Sequence, residues 1–387
     1  MHNIIFDICL PNNLIVMRNN FWISIIIIFG LSKVVLAQKT IHPTQNILSN
    51  KAILNTINRD DEKLTNKEVN INLSMLAHDF MNAREEFRLG LIEGKDYEMF
   101  GLIADVDIGS NGDIFVLDAR YNDVRVYNTK GDFIQSFGGA GQGPTEFIEA
   151  QALSIANDTG LIYVADRHAK IKIFRTIGGK YELRKILELE YAPEDLCIME
   201  GEIYVQGINF SDEHIIHVYD MSGNITRSFG ELYNSSNPVV KYSLSAGPVA
   251  CLSNYILHQS TSMPYIDVYN IDGILHGVIK FNDFHPMNII EEDTSITFDP
   301  GEVFDLMSQV TPIGSNYFLV QISRTTKKTR EEHKEYETIY TYIVSATTWE
   351  GIYIGTRLPR ILKIDDDRLY AAINSPFPQL IIYKLDQ

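Results

Sequence analysis

The sequence predicts an all-β chain folded as a six-bladed propeller of four-stranded antiparallel blades, and three observations predict it. A four-residue apolar core recurs six times, as IFVL at 114, IYVA at 162, IYVQ at 203, YILH at 255, YFLV at 317 and LYAA at 369. A second core alternates strictly with it, as VRVY at 124, IKIF at 171, IHVY at 216, IDVY at 266, IYTY at 339 and LIIY at 380, and it always ends in an aromatic residue. The first cores begin 48, 41, 52, 62 and 52 residues apart, close to the spacing of propeller blades. One such unit cannot bury both of its faces alone, whereas a ring of them can.

The chain opens with an export signal. Phe21 to Leu31 is an apolar run preceded by Arg18 and followed by Val35-Leu36-Ala37, with small residues where a signal peptidase reads. This predicts residues 1–37 as a signal peptide cleaved after Ala37, with Met17 offering a second translation start. The run falls short of the roughly 20 apolar residues that a membrane-spanning helix needs. No cysteine sits at the cleavage point, so no lipoprotein anchor is expected. Residues 38–70, rich in Asn, Thr and Lys, read as an exposed leader, and 71–387 as the propeller.

The exported part is acidic, with 31 basic against 49 acidic residues, and the whole chain carries −17. A nucleic-acid partner would want a basic face, so that class is excluded. Two cysteines remain, Cys197 and Cys251. An oxidising compartment could join them, but their distance in sequence favours two buried thiols.

Within a unit the innermost strand precedes the first core, as ADVDI at 104 and ALSIA at 152. A glycine follows the second core in the first four units (Gly131, Gly178, Gly223, Gly273), where a tight turn needs positive φ. The outer strand comes next, clearest as DFIQSFG and NITRSFG. The sixth unit lacks an outer strand before Gln387, so the upstream FRLGLI (87–92) is expected to pair beside LIIY and close the ring.

FGGAGQGPTEF (137–147) raises the question of phosphate binding. It has no Lys-Ser or Lys-Thr after its glycines, Pro144 stands where a dinucleotide fingerprint needs glycine, and no helix pattern follows. It reads as a crossing between blades, pinned by Phe137 and Phe147. Residues 112–147 resemble an NHL-type propeller repeat, and the six units together are similar to the exported six-bladed propeller proteins of Bacteroidota. At the position of that repeat's characteristic Asp the units carry Asp118, Asp166, Gly207, Gln259, Gln321 and Ile373.

Candidate chemistry gathers on the face where the crossings and the loops between second and third strands emerge. The loops at 119–123 and 167–170, with the crossings, offer Arg120, Tyr121, Glu146, Arg167, His168, Tyr191, Glu194, Arg357 and Arg360 as a polar rim. The expected role is a non-catalytic module that binds a small ligand, a glycan or an envelope protein. The resemblance also implies an alternative, a channel-mouth lyase or lactone hydrolase using a bound metal or a histidine base. No cofactor is predicted. A divalent cation in the channel near Asp105 and Asp107 is the one metal site entertained, since Glu291, Glu292, Asp293 and Asp299 lack the spacing of a calcium loop. His214 and His217 fall three apart on a strand and are expected on opposite faces. A long insertion in the fifth unit (18 residues, against 5 to 9 elsewhere) reads as a protruding hairpin.

Overall fold

The computed structural model describes residues 5–7, 15–19, 22–26, 39–41, 53–57, 71–292, 295–331 and 338–385. Ile5–Asp7, Ile15–Asn19 and Trp22–Ile26 form a separate three-stranded sheet, and the cleavage point after Ala37 lies outside the described residues.

Six antiparallel sheets follow one another around a ring. From inner to outer strand, blade one runs Ile103–Ile108, Ile114–Asp118, Asp123–Tyr127, Phe133–Gly138, and blade two Ala150–Ala156, Leu161–Asp166, Lys170–Ile177, Lys180–Glu188. Blade three is Asp195–Met199, Glu202–Asn209, His214–Asp220, Ile225–Glu231, and blade four Val249–Leu252, Tyr255–Gln259, Tyr265–Asn270, Leu275–Phe281. Blade five is Val303–Ile313, Tyr317–Thr326, Thr338–Ser345, Gly351–Gly355, and blade six Arg360–Asp365, Arg368–Ile373, Gln379–Lys384, completed by Arg84–Leu89. The innermost strands adjoin one another in cyclic order around a central channel. Both recurring cores lie in buried strands, because each blade packs a neighbour on both faces. The four turn glycines all have positive φ.

Ring closure is as the sequence predicts, shifted by three residues. Ile382 pairs with Phe87 and Leu380 with Leu89. The strand stops at Leu89 because Gly90 has φ +109°, and a Cβ there would lie 2.6 Å from the carbonyl of Pro378. Helix Ile71–Met81, which precedes this strand, buries Leu73, Ala77 and Phe80 among blade-five and blade-six residues.

Two expectations are corrected. Part of the leader is not exposed: Ile53–Ile57 adds a fifth, parallel strand to blade four, and Lys39–Ile41 pairs with Asn288–Glu292 in the blade-four to blade-five crossing. Ile57 packs with Phe281, Tyr342 and Trp349, and Asn55 Nδ2 donates to the Trp349 carbonyl at 2.7 Å, so this strap binds two blades together. Cys197 and Cys251 are joined in a disulfide, because the ring sets the inner strands of blades three and four side by side with Cα atoms 5.7 Å apart. Distance in sequence is a poor guide where consecutive units stack.

The fifth-unit insertion continues strand 317–326 into a short helix, Lys327–Glu331, and residues 332–337 fall outside the described residues. The blade-four to blade-five crossing folds as a hairpin of strands 288–292 and 295–299, and its Ile289 and Ile296 pack on Val240 and Leu244 of helix Pro238–Ser245.

Candidate functional site

The loop-bearing face is shaped by a device repeated at the end of the second strand. Asp118 turns its carboxylate to the incoming crossing and accepts from the amides of Gly101 (2.7 Å) and Leu102 (3.1 Å), and from Arg120 N at 3.0 Å. Asp166 does the same for Ile148 and Glu149 (3.1 Å each) and for His168 N at 3.3 Å. The repeat's Asp is therefore structural: it fixes the loops that carry Arg120, Tyr121, Arg167 and His168.

A buried cation on the third strand completes this device, and sequence reasoning missed it. Arg125 lies 3.4 Å from Asp118 and donates to the Met99 carbonyl at 2.7 Å. Lys172 donates to the carbonyls of Gly143 (3.3 Å) and Glu146, and burial lowers its pKa. His217 takes the same place in blade three, between the Gly207 carbonyl and Ser228 Oγ. The available signal was the second residue of VRVY, IKIF and IHVY, a polar group inside an otherwise apolar core.

Of the expected rim residues, Arg120, Tyr121 and His168 are exposed on their loops. The Tyr121 ring also lies over the Arg125 guanidinium, 5.1 Å from its centre. Arg167 is drawn into a network, donating to Glu149 (3.0 Å), Glu194 (3.2 Å) and Tyr242 Oη (3.2 Å), while Tyr242 donates to Glu194. Burial works against the Arg167 charge, but Glu194 and Glu149 outweigh it and raise its pKa. Tyr242 comes from helix 238–245, so that helix is tied to the rims of blades two and three.

Three rim residues have other work. Tyr191 is buried, packed at a tilt against His217 (4.1 Å between ring centres) and hydrogen-bonded to Tyr219 Oη at 3.0 Å. It fills the space left by Gly207, where a Cβ would lie 2.4 Å from its ring. Arg357 donates to the carbonyls of Met81 (2.5 Å) and Ala83 (2.6 Å), capping the end of helix 71–81. Glu146 folds back to accept from Gly143 N at 2.8 Å and so closes its own glycine loop. That loop is an inter-blade crossing, with Phe147 fully buried against Phe174 and Phe137 in tilted contact with Phe174 and Tyr181. His214 and His217 both approach Asp212, in the loop just before their strand, at 3.7 and 3.6 Å.

The channel carboxylates are present as expected, and their oxygens serve the ring. An innermost strand is a sheet edge whose outward N–H groups lack a ladder partner. Asp105 reaches across from blade one to Leu153 N (2.7 Å), Asp107 to Ile155 N (2.7 Å), and Asp195 from blade three to Val249 N (2.9 Å). Their other oxygens accept from Val106, Ile108 and Leu196, each at 2.8 Å. Asp107 is further paired with Lys363 at 2.5 Å. Burial, then the Asp195 charge, pushes the Asp105 pKa up to about 8, while burial lifts Asp195 to about 7. Among the described residues no three His, Cys, Asp or Glu side chains converge to hold a metal ion. Glu291, Glu292 and Asp293 lie outside the residues whose side chains are described, and Asp299 accepts from Gly301 N at 3.0 Å.

Six four-stranded blades closed by an N-terminal strand define a six-bladed β-propeller. Residues 65–237, the segment holding blades one to three, match the model of the DUF5128 family, described as a 6-bladed beta-propeller. Among solved structures, a protein of Bacteroides fragilis NCTC 9343 described as exported is similar, with TM-score 0.58 and 12% identity over 87% of this chain and 100% of that one. A duf4221-family protein of Bacteroides vulgatus ATCC 8482 is similar with TM-score 0.51 and 9% identity, over 79% and 97%. Identities this low speak for the fold alone. None of the curated proteins matches the sequence.

Proposed function

We propose that the chain is an exported, non-catalytic binding module that holds a protein partner on its loop-bearing face. The observation that carries this reading is a set of large apolar side chains left exposed to solvent there. Leu91 and Ile92 on the crossing into blade one, Tyr121 and Phe210 on second-to-third-strand loops, and Ile148 on the next crossing are all exposed, Ile92 to 72% and Tyr121 to 48%. With Arg120 and His168 they supply the aromatic, aliphatic and cationic groups that anchor protein interfaces. The predicted signal, the disulfide and the likeness to an exported propeller support export.

The enzyme alternative needs a channel base. Asp105 and Asp195 have the raised pKa of such a base, but both oxygens of each carboxylate already accept backbone amides, which favours a structural role. A test is affinity capture from envelope fractions with wild type and a Tyr121→Ala/Phe210→Ala variant, whose melting should match wild type. A discrete partner retained by wild type and lost by the variant is expected. Equal capture by both proteins would defeat the reading. Turnover of a lactone that Asp105→Asn abolishes would turn it toward the alternative.

A further inference from the structure

A second surface lies at the opposite ends of the strands, where helix 71–81 meets the turns joining first and second strands in blades five and six. Between them runs a groove of about 510 Å³, within the range of sites that take a ligand or a few side chains. Its lining combines the apolar Met75, Leu76, Tyr317 and Ile364 with the carboxylates Asp79 and Asp366. Among the described residues no Lys, Arg or His lines it.

Two features give the groove a direction of charge. Among the described residues neither the Asp79 nor the Asp366 carboxylate makes an ion pair or a side-chain hydrogen bond. Asp366 also sits in the run Asp365-Asp366-Asp367, where Lys384 answers only Asp367, at 3.4 Å. Burial first, and then the Asp366 charge, raises the pKa of neighbouring Asp365, while Lys363 and Arg368 act against the rise. The wall is also preformed, because the buried face of the helix is fixed between blades and Arg357 caps its end. Met75 is 62% exposed and is an adaptable side chain.

We propose that this groove docks a short segment of a partner protein in which a lysine or arginine is flanked by large apolar side chains. The cation lies between Asp79 and Asp366, and the apolar groups cover Met75, Leu76 and Tyr317. This surface is separate from the loop-bearing face, so either proposal can fail alone.

The experiment is fluorescence anisotropy of a labelled hexapeptide alternating leucine and lysine, titrated with the whole protein. Saturable binding is expected, weakened about tenfold in an Asp79→Asn/Asp366→Asn double variant and also weakened in Met75→Ser. Tyr121→Ala should bind as wild type does. Removing two charges from a chain at −17 would hardly change a diffuse attraction, so equal affinity for wild type and the double variant would overturn the proposal. So would the absence of saturation, or equal binding of a leucine-glutamate peptide. Both variants change only groove side chains, so unchanged melting curves separate lost binding from lost folding.

Discussion

Asp105 offers the sharpest test of how the ring is stitched. Its carboxyl is held at about 8, against a usual 3.8, mainly because it is buried and faces Asp195 and Asp107. A carboxyl raised on folding binds its proton more tightly in the folded state, so its contribution is fullest below pH 3.8 and is lost as pH rises toward 8. At about 1.4 kcal/mol per pH unit, the full loss approaches roughly 6 kcal/mol. Asp195, lifted to about 7, acts with the same sign. Buried His217, whose pKa is lowered first of all by burial, opposes them below its usual 6.5. Asp105→Asn isolates the carboxyl. Its amide oxygen can still accept from Leu153 N, and the lost bond from Val106 N costs about 1 kcal/mol. Urea midpoints at pH 5 and pH 8 should therefore show the variant gaining on wild type by roughly 4 kcal/mol across that interval. A gap that stays constant with pH would refute the placement of this carboxyl in the seam.

Two further outcomes follow from the corrected features. The Cys197–Cys251 bond spans a sequence separation of 54, so reducing it should lower stability by about 4 kcal/mol on the chain-entropy account; an unchanged urea midpoint with reductant would count against it. Ile57→Ala should lower stability by about 2 to 4 kcal/mol through a cavity beside Phe281 and Gly351, read by thermal melting, whereas a surface leader would leave the melt unmoved.

The alternating cores were legible because each is a continuous apolar run whose neighbours on both faces are other blades. Ring closure was legible for a related reason, since a sixth unit without an outer strand must borrow one. The strap was not legible: KAILNTI (51–57) has no periodicity to mark it, and it is held by its single deeply buried Ile57 and an Asn55 hydrogen bond to blade five. The rim was legible as a place rather than as a set of roles. Tyr191, Arg357 and Glu146 occupy crossings as expected, yet a crossing residue can point inward as easily as outward, and only the packed structure separates the two.

The decay of the repeat's Asp shows how such a ring tolerates change. In blade five Gln321 ties a different crossing, the one that leaves for blade six, with Oε1 accepting from Ile361 N at 2.7 Å and Nε2 donating to the Pro359 carbonyl at 2.8 Å. A neutral amide thus ties the crossing from both directions, which a carboxylate cannot do. In blade four Gln259 is equally buried, but the crossing there contains Pro248, which has no N–H, and the amide of Val249 is already bound to Asp195. Among the described residues the Gln259 side chain has no hydrogen-bond partner. Blade four gains its ties elsewhere, through the disulfide to blade three and the strap to blade five. Blades three and four, which carry Gly207 and Gln259 where the repeat has Asp, are the two units the disulfide joins, so a covalent bond links two consecutive units that both lack the carboxylate tie.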